Sequence, residues 1–230
     1  MRKTSKIATA ISVGMIVFGI FMFLIIHPFI YTYIGIIEQA KTTTHHTKWD
    51  KLAVKYSIFS FQKKYTMDYA LSSLILTEDY DTALDYIHKL EKLKKSDVAH
   101  KYFASYAYLQ KQDYKNALKY AKWCNSENQL AKIYIKTRDI ENAQKIVDKM
   151  LNKKNISPNS YVYKSELEML KGNWHEADKY ADKVLKINPK HREALKDKIQ
   201  ISKHFNRLSD VKKYEKTLKQ LELKYSERVR

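Results

Sequence analysis

The sequence predicts an all-α protein: an N-terminal transmembrane helix followed by an α-solenoid of about five helix pairs. Three observations predict it. The 230 residues include only 4 glycines and 3 prolines, so little interrupts helix formation. A run of 20 residues without a charged side chain, Ile7 to Ile26, stands near the amino terminus. Beyond it, a triad of small and apolar residues at i, i+4 and i+7 recurs along the chain, each copy falling on one helical face.

In chain order, residues 1–6 form a basic flank containing Arg2, Lys3 and Lys6. Residues 7–27 are the transmembrane helix: 20 uncharged residues at about 1.5 Å each span a hydrocarbon core of about 30 Å. A cleaved signal peptide would suit the same basic flank, but its apolar region is shorter and a small-x-small cleavage site follows it promptly. Residues 28–46 are an interfacial collar and tether, in which Phe29, Tyr31 and Tyr33 supply rings favoured at a membrane surface. The adjacent His45 and His46 point apart on an extended segment and are not a metal pair. The positive-inside rule puts the amino terminus in the cytoplasm and the helical domain on the outer side of the cell membrane.

Residues 47–225 form the helical-repeat domain, and 226–230 a tail. Ala177, Ala181 and Val184 define the repeating face, which returns as Ala83, Ile87, Leu90, as Ala117, Ala121, Cys124, and as Ala143, Val147, Met150. Small residues let a second helix come close. Intervals between the leading alanines are 34, 26 and 34 residues, and each alanine closes a similar phrase: EDYDTA, QDYKNA, RDIENA and GNWHEA. Gly172 and Pro189 punctuate the last copy. Helix pairs are expected at 65–77 and 80–93, 98–111 and 114–124, 127–137 and 140–153, 159–171 and 174–187, and 191–205 and 208–225. An amphipathic helix over 47–59 precedes them. The short interval requires the helix of Ala117 to stop near Cys124, with Asn125 or Ser126 capping its successor. A fifth copy begins at Val211, where Glu215 replaces an inward apolar residue and marks the end of the stack.

Alanine triads, an aromatic or apolar residue three before each (Tyr80, Tyr114, Ile140, Trp174) and the 34-residue interval resemble the tetratricopeptide repeat (TPR) family. The stretch from Asp113 to Thr137 is also similar to the outward-facing helical domain of the type VII secretion components EssB and YukC, which likewise follow a single membrane helix. The TPR resemblance implies a concave face, lined by the first helix of each pair, that binds extended or helical peptides. On this chain it implies Tyr102, Tyr106, Asn128, Lys132, Lys136, Glu166, Lys196 and Gln200 as partner-binding residues. Asn128, Lys132 and Lys136 share a helical face suited to an acidic segment or a terminal carboxylate. The family's two-carboxylate clamp would need similar residues where Tyr102 and Tyr106 stand, so a chaperone-tail receptor is not implied.

The formal charge of +18 raises the alternative of a membrane-tethered receptor for a polyanion, a nucleic acid or anionic envelope polymer. From Lys190 to Arg230 there are 13 basic against 6 acidic residues, alternating along helices instead of clustering with aromatics, so nucleic acid is not the favoured partner. The single cysteine, Cys124, rules out an internal disulfide and reads as a small packed hydrophobe. No phosphate-cradling loop, H-E-x-x-H or nucleophile elbow is present. The expected function is therefore not enzymatic, with no cofactor or metal: a membrane-anchored scaffold for protein–protein contacts in a secretion, envelope-assembly or quality-control complex.

Overall fold

The computed structural model describes residues 71–94 and 96–229, with isolated positions between 13 and 52, and falls into two compact units, Met1–Ser96 and Asp97–Val229. All regular secondary structure among the described residues is helical. The first unit holds a helical stretch at 71–76 and α1 (Tyr80–Lys92). The second holds α2 (Val98–Gln110), α3 (Tyr114–Trp123), α4 (Glu127–Lys136), α5 (Ile140–Leu151), α6 (Pro158–Leu170), α7 (Trp174–Ile187), α8 (Arg192–His204) and α9 (Leu208–Val229). These bounds lie within two residues of the sequence expectation, except that α9 runs four residues further.

Of the stretch at 7–27, positions 13, 15–20, 22 and 26 are described and helical. Among the described residues no helix is long and apolar enough to cross a membrane. The rest of that stretch, the tether and most of the helix expected at 47–59 lie outside the described residues.

Within Asp97–Val229 the helices pair in order, α2 with α3, α4 with α5, α6 with α7 and α8 with α9, and the first helices also pack successively on one another. Each helix touches only those one or two places away in the chain, the arrangement of a stack whose stability is a sum of local and nearest-neighbour terms. The core follows suit. One cluster joins Leu109, Ala117, Ala121, Leu130 and Ile133 across α2, α3 and α4. The next joins Ala131, Ile135, Ala143, Val147, Met150 and Leu167 across α4, α5 and α6. Val162, Val184 and Ala194, with Ala177, Ala181 and Ile201, continue it across α6, α7 and α8.

The alanine seam is the common part. Ala83, Ala117, Ala121, Ala143, Ala177 and Ala181 are all fully buried. Twelve residues before each seam alanine of the second unit, the first helix of the pair contributes another small buried residue: Ser105, Ala131 or Ser165. The Ser105 hydroxyl donates to the Ala117 carbonyl at 2.9 Å, a contact that only close helix axes permit. Larger neighbours such as Ile133, Leu167 and Val184, each worth about 1.5–3 kcal/mol when buried, then close over the seam.

The recurring phrase before each alanine encodes the turn. Asp113 and Asp139 cap α3 and α5, each Oδ1 accepting from the backbone N–H of Asn116 (3.1 Å) or Asn142 (3.2 Å). Both asparagines return a side-chain bond to the same carboxylates, at 2.7 and 2.8 Å. Ahead of each cap the chain passes through the left-handed region at Gln112 (φ 60°), Arg138 (57°), Gly172 (81°) and Asn206 (56°). The paired bonds Asp113 N–H to Tyr108 C=O and Gln112 N–H to Leu109 C=O recur at each turn and satisfy the last carbonyls of the preceding helix. Only one of these turns uses glycine. Backbone geometry, not glycine, is the repeating feature.

The eight residues missing from the Ala117–Ala143 interval are taken from both helices and from the connector between them: α3 and α4 are 10 residues each with three residues between, against 12 and 13 in α5 and α6 with six between. Helix α3 ends at Trp123, and the Ser126 hydroxyl caps α4 by accepting from the Gln129 N–H at 3.4 Å. Cys124 therefore sits one residue beyond its helix, half-buried, with Sγ 3.5 Å from the Ala121 carbonyl. At the far end Val211 is buried, while Glu215 faces out and pairs with Lys203 at 3.0 Å.

A left-handed conformation costs a non-glycine residue about 1–2 kcal/mol, partly offset by the entropy glycine loses on folding. Gln112→Gly should therefore raise stability by about 0.5–1 kcal/mol in denaturant unfolding. Gly172→Ala should lower it by about 1 kcal/mol, although a methyl there meets nothing within 4 Å, because strain in the backbone is the whole effect.

Candidate functional site

Each first helix of the second unit turns one side to its pair mate and leaves another free. Because α2, α4, α6 and α8 pack on one another, those free sides form a continuous face. A groove of about 540 Å³ opens in it where α4, α6 and α8 meet the start of α7. Ile135, Met169, Leu170 and Trp174 supply its apolar lining, and Lys136, Arg138, Glu166, Asp197 and Gln200 its polar heads.

Three of the residues implied by the family resemblance, Lys136, Glu166 and Gln200, thus line one groove. Lys132 and Lys196 stand close enough to act electrostatically on Glu166. Tyr102, 40% exposed on α2, acts in the same way on Tyr163 of α6, whose phenol is pushed above its ordinary range, first by burial and then by Glu166. Tyr106 is half-buried and Asn128 exposed, and neither is part of the groove. Sequence reasoning missed Asp197, Arg138, Trp174 and Tyr163. Arg138 and Trp174 belong to the phrases RDIENA and GNWHEA, treated as turn and packing signals; Asp197 is hidden in the alternation LKDK, where a solvated carboxylate is the ordinary expectation.

The acids of the unit divide by their partners. Glu168, buried on α6, accepts from Lys164 (2.7 Å), Lys171 (3.3 Å) and Asn173 Nδ2 (2.7 Å). Burial raises its carboxyl, but these donors outweigh that and hold it below the usual range. Asp178 on α7 joins Lys198 and, at 2.8 Å, Arg207, tying α8 and the α9 turn to α7. It too is held low: its donors outweigh desolvation. Glu127, bracketed by Lys153 and Lys149, does the same for α4 and α5.

The groove acids behave in the opposite sense. Burial raises Glu166, with Lys136, Lys132 and Lys196 only partly opposing it. Asp197 is 3% exposed and raised well above the ordinary aspartate value, first by burial and then by Glu166, with the Ser165 hydroxyl pulling the other way. Its Oδ2 has no hydrogen-bond partner among the described residues. A buried Asp197 without a cationic partner among the described residues and a half-buried Glu166 only partly offset by lysines make an acidic floor beneath a basic rim.

No protein-family model matches the chain, and no curated protein matches it in sequence.

These two groups of acids titrate in opposite senses. For Glu166 and Asp197, with raised folded values, folding favours the protonated form; their contribution is fully present below about pH 4 and is lost as pH rises through the raised values. Asp197→Asn should therefore gain stability relative to wild type progressively as pH rises above the ordinary aspartate value of about 4. Glu168→Gln, removing a depressed carboxyl, should fall further behind wild type as pH rises through about 2 to 5. Thermal unfolding across pH checks both signs.

Proposed function

We propose that the chain is a single-pass membrane protein whose helical stack is of tetratricopeptide type and serves as a docking platform for another polypeptide. The observation that carries this reading is the continuous face of the first helices, with its 540 Å³ groove and a small set of convergent polar heads. The local arithmetic of the repeats supports the family assignment: seam alanines at intervals of 34, 26 and 34 residues, all fully buried, and in the second unit each preceded, twelve positions earlier, by a small buried residue of the preceding helix. The anchor rests on the uncharged run from Ile7 to Ile26, and its basic flank supports an orientation with the stack on the outer side of the cell membrane. A platform tethered in this way suits a membrane-bound assembly for secretion, envelope construction or protein quality control.

The polyanion alternative has less support. In the last two helix pairs Arg192 is engaged by Glu222, Lys198 by Asp178 and Asp182, Lys203 by Glu215 and Arg207 by Asp178. Basic side chains committed to internal pairs release few counterions to an incoming phosphate backbone.

Photocrosslinking in intact cells separates platform from inert stack. A crosslinker at Tyr106 or Lys132 should give discrete adducts with a second protein, whereas one at Lys145, on the exposed side of α5, should give none. Equal yields at all positions would contradict the proposal. Protease added outside intact cells should cut after Lys41 if the stack is external, and leave the chain whole if it is cytoplasmic.

A further inference from the structure

We propose that the groove between α4, α6 and α8 captures a basic side chain of a peptide partner, its ammonium or guanidinium head lying between Glu166 and Asp197. This rests on the docking reading and specifies the chemistry of its ligand.

Counter-ions carry the argument. Glu168 and Asp178, the other acids drawn into this part of the stack, each hold two cationic side chains of the same chain. Asp197 holds none among the described residues. Helices α4, α6 and α8 border it in the groove, with Arg138 of the turn after α4 and Trp174 of α7 in the same lining. Helix α4 offers Lys132 and Lys136, and both act on Glu166. Helix α6 offers Glu166 and the Ser165 hydroxyl, and α8 itself offers Glu193, so the charges acting on Asp197 are negative. An orphaned, buried carboxyl oxygen on a residue 3% exposed, in the lining of an open groove, lacks what an incoming cation supplies.

The shape of the groove selects the kind of cation. Among the described residues no three His, Cys, Asp or Glu are grouped to hold a metal ion. Instead Met169 and Leu170 line the approach to the acids, a surface against which the methylene stem of lysine or arginine lies while its head reaches the carboxyls. Lys136 and Lys196, exposed at the rim, repel a second basic residue and favour an acidic neighbour or a terminal carboxylate. The expected acidic segment is thus accommodated at the rim, and the floor takes the opposite sign. A bound cation favours the ionised form of both carboxyls, so binding is linked to release of protons to solvent.

The test uses the full chain in detergent micelles and acetylated, amidated pentapeptide pools with randomised flanks and a fixed centre: lysine, arginine, norleucine, glutamate or phosphoserine. Lysine or arginine pools should bind at least tenfold more tightly than norleucine. Calorimetry in two buffers of different ionisation enthalpy should show proton release, and affinity should climb between pH 5 and 8. Asp197→Asn and Glu166→Gln, each close to isosteric and checked by thermal unfolding, should each lose tenfold or more, while Lys145→Gln changes nothing. Should Asp197→Asn fail to fold, Glu166→Gln and proton release decide. Equal binding of lysine and norleucine pools, absence of proton release, or preference for glutamate or phosphoserine would overturn the proposal while leaving a docking groove intact. Binding of no pool, together with no crosslinks from Tyr106 or Lys132, would remove the docking reading as well.

Discussion

The stack depends on how closely two helices can approach, and that distance is set by methyl groups. Ala117, Ala143 and Ala177 are fully buried, as are Ser105, Ala131 and Ser165 twelve positions before them, and at the first of these pairs the Ser105 hydroxyl reaches the Ala117 carbonyl, so pair mates come close to backbone contact. Close axes leave the larger residues, such as Ile133, Val147 and Leu167, only one place to go: the junction with the next pair. The core is therefore a row of small clusters, each shared by three consecutive helices. A pair with its neighbours removed would expose the apolar residues of these shared clusters, which is why such units exist only as arrays.

From this constraint the face follows. If the pair mates use one side of every first helix and the neighbouring pairs a second, a third side remains, and the stacking of α2, α4, α6 and α8 aligns these sides. Charges placed there have two fates. Glu127 and Asp178 have lysine or arginine partners across helix boundaries and act as clasps between successive elements, while Glu168 is paired with Lys164 on its own helix and Lys171 at that helix's end. Asp197 has no such partner and Glu166 is only partly offset by Lys132, Lys136 and Lys196, a cost that among the described residues with raised carboxyls falls at this one groove. Uncompensated polar burial of this kind is where sequences depart from what stability alone would select.

Much of the fold is legible from residue order. Helix periodicity and the turn phrases locate the helices because each phrase carries its own physics: a left-handed residue, an aspartate or asparagine after it, then the alanine three or four places on. Even the 26-residue interval is readable, since helices cut at Trp123 and restarted at Ser126 are the shortest solution. The small partners Ser105 and Ser165 were overlooked because serine on a helix ordinarily signals a surface; their offset of twelve from the seam alanine was the available clue. The site is legible only in part. Face membership follows from repeat register, which is how Lys136, Glu166 and Gln200 come together. Burial does not: Lys196 and Asp197 are adjacent in sequence, yet one is exposed and the other 3% exposed, a difference decided by the neighbouring helix α6.

The most direct measurement of the seam's role is hydrogen exchange on the full chain carrying Ala143→Leu. Three extra carbons at a fully buried position force α4 and α5 apart. The account predicts that amide protection falls by an order of magnitude or more in α4, α5 and α6 and is retained in α8 and α9, because the stack is held together by nearest neighbours. Unchanged protection everywhere, or an equal loss throughout 97–229, would contradict it: the first would mean that the seam is not close-packed, the second that the unit has a single undivided core.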